Sequence, residues 1–301
     1  MEAVNRFHIS PEAEITLEAN PDDINPQKLK AWRETGINRL SVGIQSFNEQ
    51  ELQWMNRAHN SQQALQCIDD ISAAGFENFS VDLIYGSPLL SDDELIKNIE
   101  VIVGKKVPHI SCYALTVEPK TILDHQIKKR LSENVSSEKQ SRQFLMVMDH
   151  LRNAGYEHYE ISNFALPGFR SRHNSSYWKG LPYYGFGPSA HSFNGNDVRK
   201  WNLNNNALYA KNILNNEPCA VSETLSSSEK WNEFVMISIR TIEGISIERC
   251  EREFGRNLTE NLLQESQQWI SGGKMLNTNN CLVLTDEGKL FADGIAASLF
   301  A

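Results

Sequence analysis

Five short β-rich runs recur along the chain with a helical pattern between each and the next: "EITLEA" (14–19), "RLSVGI" (39–44), "FSVDLIY" (79–85), "HISCYALT" (109–116) and "YEHYEISNF" (156–164). This alternation constrains the fold more than any other feature. Strands joined by single helices need right-handed crossovers, which yield a parallel sheet covered by helices, either open or closed into a barrel. In such sheets the working residues sit at the carboxyl ends of the strands.

Punctuation sets the helix bounds. Asn25-Pro26 opens a helix that Gly36 closes, with proline in the first turn and glycine just past the last. A second helical pattern runs from Ser61 to Ala74, with Gly75 as its stop. Ser91 with Glu94 forms a capping box, and Ser137 with Gln140 is read the same way for a long helix ending at Gly155. The nearly continuous apolar run at 79–85 predicts a strand buried on both faces.

The alternation ends after the loop region that closes near Asn202. Residues 203–228 are rich in Asn and Ser, contain Pro218, and read as a connection. Residues 229–301 read as helices at 229–241, 247–254 and 258–271, then Gly272-Gly273, two short strands ("KML" and "CLVLT") and a last helix. That order is winged-helix-like. The expectation is an α/β region over 1–202, a connection over 203–228 and a winged-helix-like domain over 229–301.

Composition narrows the partners. The 301 residues are 40% hydrophobic and 22% charged, and no run approaches the eighteen apolar residues of a membrane span. Met1 to Ser10 is polar, without the apolar core of a signal peptide, so a cytoplasmic location is expected. A net charge of −9 disfavours nucleic acid, and the winged-helix-like segment holds seven Lys and Arg against eleven Asp and Glu. Its role is expected to be packing or covering rather than DNA binding. The cysteines, Cys67, Cys112, Cys219, Cys250 and Cys281, lie at least 31 residues apart, so no CxxC-type pair can seed a local metal or redox site. Unpaired thiols in a reducing compartment are the simpler reading.

One stretch looks like a site. "RHNSSYWKG" (172–180) gathers an imidazole, a carboxamide, a phenol and an indole between Arg172 and Lys179, a combination suited neither to an ordinary surface loop nor to a core.

The ordered motifs "EITLEANP", "GINRLSVGIQSFN", "VDLIYGSP", "SCYALTVEPKT", "YEISNFA" and "HNSSYW", the last followed by "YYGFGPSAHSF", resemble a known family. They are similar to the radical SAM family of oxygen-independent coproporphyrinogen III oxidases, specifically its HemW-type heme chaperone branch. The resemblance runs from about residue 9 to the C-terminus. It implies a (β/α) partial barrel with a C-terminal winged-helix-like appendage, and S-adenosylmethionine (SAM) held along the strand ends. Carried over by motif, Glu18, Gln45, Arg57 and Asp82 match SAM-contacting positions. Their chemistry suits the role, since carboxylates accept from ribose hydroxyls and an ammonium, while an arginine forks onto a carboxylate. The alternatives are structural: Glu18 or Asp82 capping a helix or pairing with Arg39, Arg57 in a surface ion pair, and Gln45 satisfying a strand-end backbone group.

The resemblance also implies a heme site. His173, Asn174, Tyr177 and Trp178 reproduce the HNxxYW pattern of the heme-handling branch, with His173 as ligand to heme iron, His191 as a second candidate, and Arg172 and Lys179 available to propionates. Gly185 and Gly187 are expected to allow close backbone approach to a ligand. The alternative is that His173 and Asn174 cap backbone, that Tyr177 and Trp178 anchor a loop, and that His191 fixes one.

The chain departs from the family in lacking CxxxCxxC and the glycine-rich stretch after it, so no cluster ligands are identified. It begins where the family's third barrel strand would approach, and the expectation is a truncated form missing the first units. Such a form should neither cleave SAM nor generate a radical, and whether it is an enzyme stays open. The expected function is a heme-binding chaperone that passes heme to an acceptor protein, with SAM and a [4Fe-4S] cluster in the full-length parent. The alternatives are an oxygen-independent coproporphyrinogen III oxidase and a degenerate non-catalytic scaffold.

Overall fold

The computed structural model describes residues 9–301. The expected absence of a leader in Met1–Ser10 therefore falls, but for its last two residues, outside the described residues. The chain divides into two compact units, one up to Ser171 and one over Arg172–Ala301.

The first unit is an α/β fold. It runs β1 (Thr16–Ala19), α1 (Pro26–Glu34), β2 (Arg39–Gln45), α2 (Glu49–Trp54), α3 (Ser61–Ala73), β3 (Phe79–Tyr85), α4 (Asp92–Gly104) and β4 (His109–Ala114). Then follow α5 (Ile122–Lys128), α6 (Ser137–Asn153), β5 (Glu157–Glu160) and β6 (Asn163–Ala165). The sheet order is β1-β2-β3-β4-β6-β5, and β1 to β4 are parallel.

The fifth run departs from the expected parallel strand. It splits into β5 and β6, a hairpin whose β6 pairs antiparallel with β4, so the sheet is mixed. Local polar groups explain the fold-back: the Asn163 amide donates to the Glu160 carboxylate, and the Ser162 backbone N–H donates to the same group at 3.3 Å. Short polar side chains that satisfy turn backbone favour a reversal over continued extension.

Alternation of side chains gives the sheet two different faces. Leu40, Val42 and Ile44 of β2, Val81 and Leu83 of β3, and Ile110 of β4 are almost wholly buried on one face. The helices gather there: α6 lies against β3, β4 and β5 through Phe144, Val147, Met148 and Leu151, with α4 beside it. Each such aliphatic side chain contributes about 1.5–3 kcal/mol on burial. The other face is polar, carrying Arg39, Ser41, Ser80, Asp82, His109 and Ser111. Thus β3 is buried along most of its length, as its apolar run predicts, but only one of its faces is hydrocarbon.

Caps follow the punctuation closely. Asn25 accepts from Lys28 N at 2.9 Å ahead of Pro26, and Ser91 and Glu94 form the reciprocal box. At α6 the cap is Ser136, which accepts from Lys139 N, and not Ser137, which lies one residue inside the helix.

The second unit contains α7 (Arg172–Trp178), β7 (His191–Phe193), β8 (Val198–Asn202), α8 (Asn206–Asn215), β9 (Ala220–Thr224) and α9 (Ser227–Ser238). It continues with β10 (Ile245–Ser246), α10 (Ile247–Phe254), α11 (Arg256–Ser271), β11 (Met275–Thr278), β12 (Cys281–Leu284), α12 (Asp286–Lys289) and α13 (Ala292–Ser298). The order of α9 to β12, with the antiparallel sheet β10-β12-β11, matches the three-helix-and-wing expectation. Its core packs Trp231, Phe234 and Phe254 in tilted and edge-to-face contacts, and the Trp231 indole donates to Leu299 O at 3.0 Å.

Two expectations are corrected here. Residues 172–178 form a helix rather than a loop, and residues 203–228 are not a plain connection. The latter hold α8 and β9, and β9 completes the antiparallel sheet β7-β8-β9. Residues 172–202 accordingly cluster with the C-terminal part of the chain.

Candidate functional site

Glu18 lies near the carboxyl end of β1, Gln45 ends β2, Asp82 lies in β3, and Arg57 follows α2. Register places Glu18 beside Ser41, Ser41 beside Ser80, and Asp82 beside Ser111, all on the polar face. Burial pushes the Asp82 carboxyl up to about 6; the Ser111 hydrogen bond opposes this, the Glu18 charge adds to it, and Arg39 and Arg57 oppose it.

Gln45 and Arg57 meet at Gly43. A Cβ there would lie 2.9 Å from Gln45 Nε2, which would have to shift, and in contact with Arg57 Nη2 at 3.4 Å. Gln45 has a φ of 71°, in the left-handed region, where the β2–β3 register slips. Arg57 Nη2 donates to Asn20 Oδ1 at 2.7 Å and to Gly43 O at 2.9 Å. These bonds replace the surface ion pair that was the structural alternative. Arg57 Nε is buried without a hydrogen-bond partner, and the donors beyond the two on Nη2 are left for a further acceptor.

Two supporting residues were not read from sequence. Asn20 steers Arg57, and the buried His59 donates from Nε2 to Ile44 O at 3.0 Å, fixing the backbone just before Gln45. The carbonyl can only accept, so Nε2 carries the proton. The adjacency of Asn20 to Pro21 carried a turn signal, but nothing local pointed to Arg57, 37 residues on.

The second candidate region begins on α7. His173 and Tyr177 lie one turn apart, and their rings meet edge to face at 4.9 Å. Tyr177, 41% exposed, packs on Tyr183 at 4.7 Å, and Tyr183 forms a β-bridge with Phe193. A chain of rings thus runs from His173 to β7. The exposed His191 starts β7 and stacks on Trp201 across β8, with ring centroids 6.4 Å apart. Asn174 and Trp178 are half-buried on α7, and Trp178 lies outside the chain of rings. Arg172 and Lys179 are exposed at its two ends.

The expected role of Gly185 is corrected. Its backbone sits against His191, where a Cβ would fall 2.1 Å from His191 O, so the glycine serves the loop's own packing. Gly187 has a φ of 95° with open space around it.

Comparison with known proteins matches residues 1–102 to the Radical SAM superfamily and residues 225–291 to the HemN C-terminal domain. The heme chaperone HemW of Lactococcus lactis is 31% identical over 275 residues, covering 91% of this chain and 72% of that protein. The chain belongs to the HemW heme chaperone family. The HemW of Bacillus subtilis is 30% identical over 299 residues, covering 98% of this chain and 78% of the relative. Among solved structures, coproporphyrinogen III oxidase (HemN) of Escherichia coli, a radical SAM enzyme, has a TM-score of 0.82. That match covers 99% of this chain and 72% of the other at 18% identity, and it shows the shared fold.

The donor set fits some of the family's groups and not others. At the strand ends, the unpaired Arg57 Nε and the cradle at Gly43 suit a carboxylate-bearing ligand. For a cluster, no group of three His, Cys, Asp or Glu able to hold a metal ion occurs among the described residues. The thiols of Cys67 and Cys250 are buried, which pushes both up to about 12 and keeps them protonated. Among the described residues no helix is long and apolar enough to cross a membrane.

Proposed function

We propose that the chain binds heme on the α7 surface, with His173 as axial ligand, and passes it to an acceptor protein. One observation carries this reading: an exposed helix presents an imidazole edge-on to Tyr177, at the head of a chain of rings that continues through Tyr183 to Phe193. Neutral imidazole is a common ligand to heme iron, and aromatic rings pack well on a porphyrin face. Arg172 and Lys179 flank the motif, where cations meet propionates. The names of the curated relatives support the same reading.

In the same proposal the strand ends supply part of a SAM site. Arg57 would meet its carboxylate, Glu18 and Asp82 its hydroxyls and ammonium, and Gln45 would orient it. SAM supplies the radical chemistry of the superfamily; this chain's residues bind and orient. No step is routed through a cluster. A cytoplasmic setting suits a carrier that hands heme to another protein.

A hemin titration followed by Soret absorbance tests the heme reading on the parent, His173→Ala and His191→Ala. The expected result is loss of the imidazole-ligated spectrum and an affinity weakened on the order of 100-fold in His173→Ala. An unchanged spectrum and affinity in that variant removes His173 from the site. Loss in His191→Ala alone moves the ligand to β7.

A further inference from the structure

The sheet β7-β8-β9 carries two rows of side chains on the face where the chain of rings ends. Antiparallel register pairs Phe193 with Arg199 and Arg199 with Glu223, and pairs His191 with Trp201 and Trp201 with Val221. Because side chains alternate, residues two apart share a face, so both rows lie on one side of the sheet.

The two rows meet different fates. The first has packing partners: Tyr177 of α7 packs on Tyr183, which bridges to Phe193, and Glu233 of α9 pairs with Arg199. Glu223 also faces Arg199, at 3.7 Å, so its charge is compensated. The second row is exposed at both ends. His191 is exposed, Trp201 is half-buried and Val221 is 48% exposed. Beyond His191 the next backbone is Gly185, which adds no side chain. Adjacent strands lie about 4.8 Å apart, so an imidazole, an indole and an isopropyl group span about 10 Å of open surface. Water-exposed apolar surface of this shape suits a flat apolar ligand wider than one ring.

We infer that the row His191–Trp201–Val221 is a porphyrin-binding platform, with Trp201 its principal contact. The inference rests on the heme reading of α7 and extends it. There, iron coordination by His173 supplies the directional bond; here, the ring system rests on Trp201. Binding of the macrocycle at this row is therefore independent of iron.

Metal-free protoporphyrin IX separates the two claims, since it cannot take an axial ligand. Both hemin and protoporphyrin IX are titrated into the full chain and into Trp201→Ala, Trp201→Phe, Val221→Asp and His173→Ala. Trp201→Ala is expected to weaken protoporphyrin IX binding about tenfold, with Trp201→Phe recovering most of it. Val221→Asp, at an exposed position that a charge does not unfold, is expected to weaken it about fivefold. His173→Ala should leave protoporphyrin IX affinity within about twofold of the parent while losing the ligated hemin spectrum.

Protoporphyrin IX affinities within about twofold of the parent in both Trp201→Ala and Val221→Asp overturn the platform. An effect in Trp201→Ala alone overturns it too, because the cause is then packing. If His173→Ala leaves hemin unaffected while protoporphyrin IX still depends on Trp201 and Val221, the axial ligand falls and the platform stands. A parent chain that binds neither porphyrin overturns both.

Discussion

The two candidate regions are built in opposite ways. At the strand ends of the first unit, three of the groups are held by others: Arg57 by Asn20 and Gly43, the β2 terminus by His59, and Asp82 by Ser111. On the second unit, the candidate ligands are exposed rings on a short helix and a three-residue strand. A half-buried, hydrogen-bonded polar site couples ligand binding to stability, because each group left unpaired costs free energy. An exposed ring surface carries less of the fold's stability and suits a cargo that must be released.

The sharpest test is therefore whether the two regions respond differently to substitution. His173→Ala is expected to produce the largest effect on hemin, on the order of 100-fold, while thermal unfolding falls by only about 1–5 °C, the loss expected from its edge-to-face contact with Tyr177. A fall of about 10 °C or more on calorimetry would make His173 a major packing residue of the second unit and erase the contrast.

Asp82→Asn should act in the reverse sense. Its folded carboxyl sits above its ordinary 3.8, at about 6, so the folded state holds the proton longer than the unfolded chain does. Stability from this group is full below 3.8 and is lost as pH rises through 6. The neutral Asn variant should thus be more stable at pH 7.5, on the order of 2 kcal/mol by urea unfolding, while losing any affinity for SAM. The gain should vanish below pH 4. A variant less stable than the parent at pH 7.5 would mean that the charged form is held by groups stronger than Ser111.

Gly43→Ala should cost about 1 kcal/mol, because the new methyl displaces the end of the Gln45 side chain. Equal stability would show that the cradle relaxes freely. The smallest effect is expected from Tyr177→Leu, which removes two edge-to-face contacts and should weaken hemin by a few-fold, with stability reduced by about 0.5–1.5 kcal/mol.

Much of this was legible without coordinates. Asn25-Pro26, the Ser91–Glu94 box and the apolar runs of β2 to β4 are local signals, and local signals depend on neighbours three or four residues away. The splitting of 156–164 was less legible, since "YEHYEISNF" has strand-like composition throughout and its turn depends on Glu160 reaching Asn163. The region 203–228 misled for a related reason. Asn and Ser mark loops, yet β9 exists because β8 offers it an edge.

The motif residues Glu18, Gln45, Arg57, Asp82, His173, Asn174, Tyr177, Trp178 and His191 could all be named from the chain alone, because residue type and order carry chemistry. Which of them meet was decided only by tertiary structure. Arg57 reaches Asn20 across 37 positions, and His191 meets Trp201 through strand register, while Trp178 stays apart from the ring chain that Tyr177 joins. The physical reason is that helix and turn signals are local, whereas a site is an agreement among distant backbones. Gly185 shows this directly: it looks like a generic glycine in sequence, and it is required by the backbone of His191 packed against it.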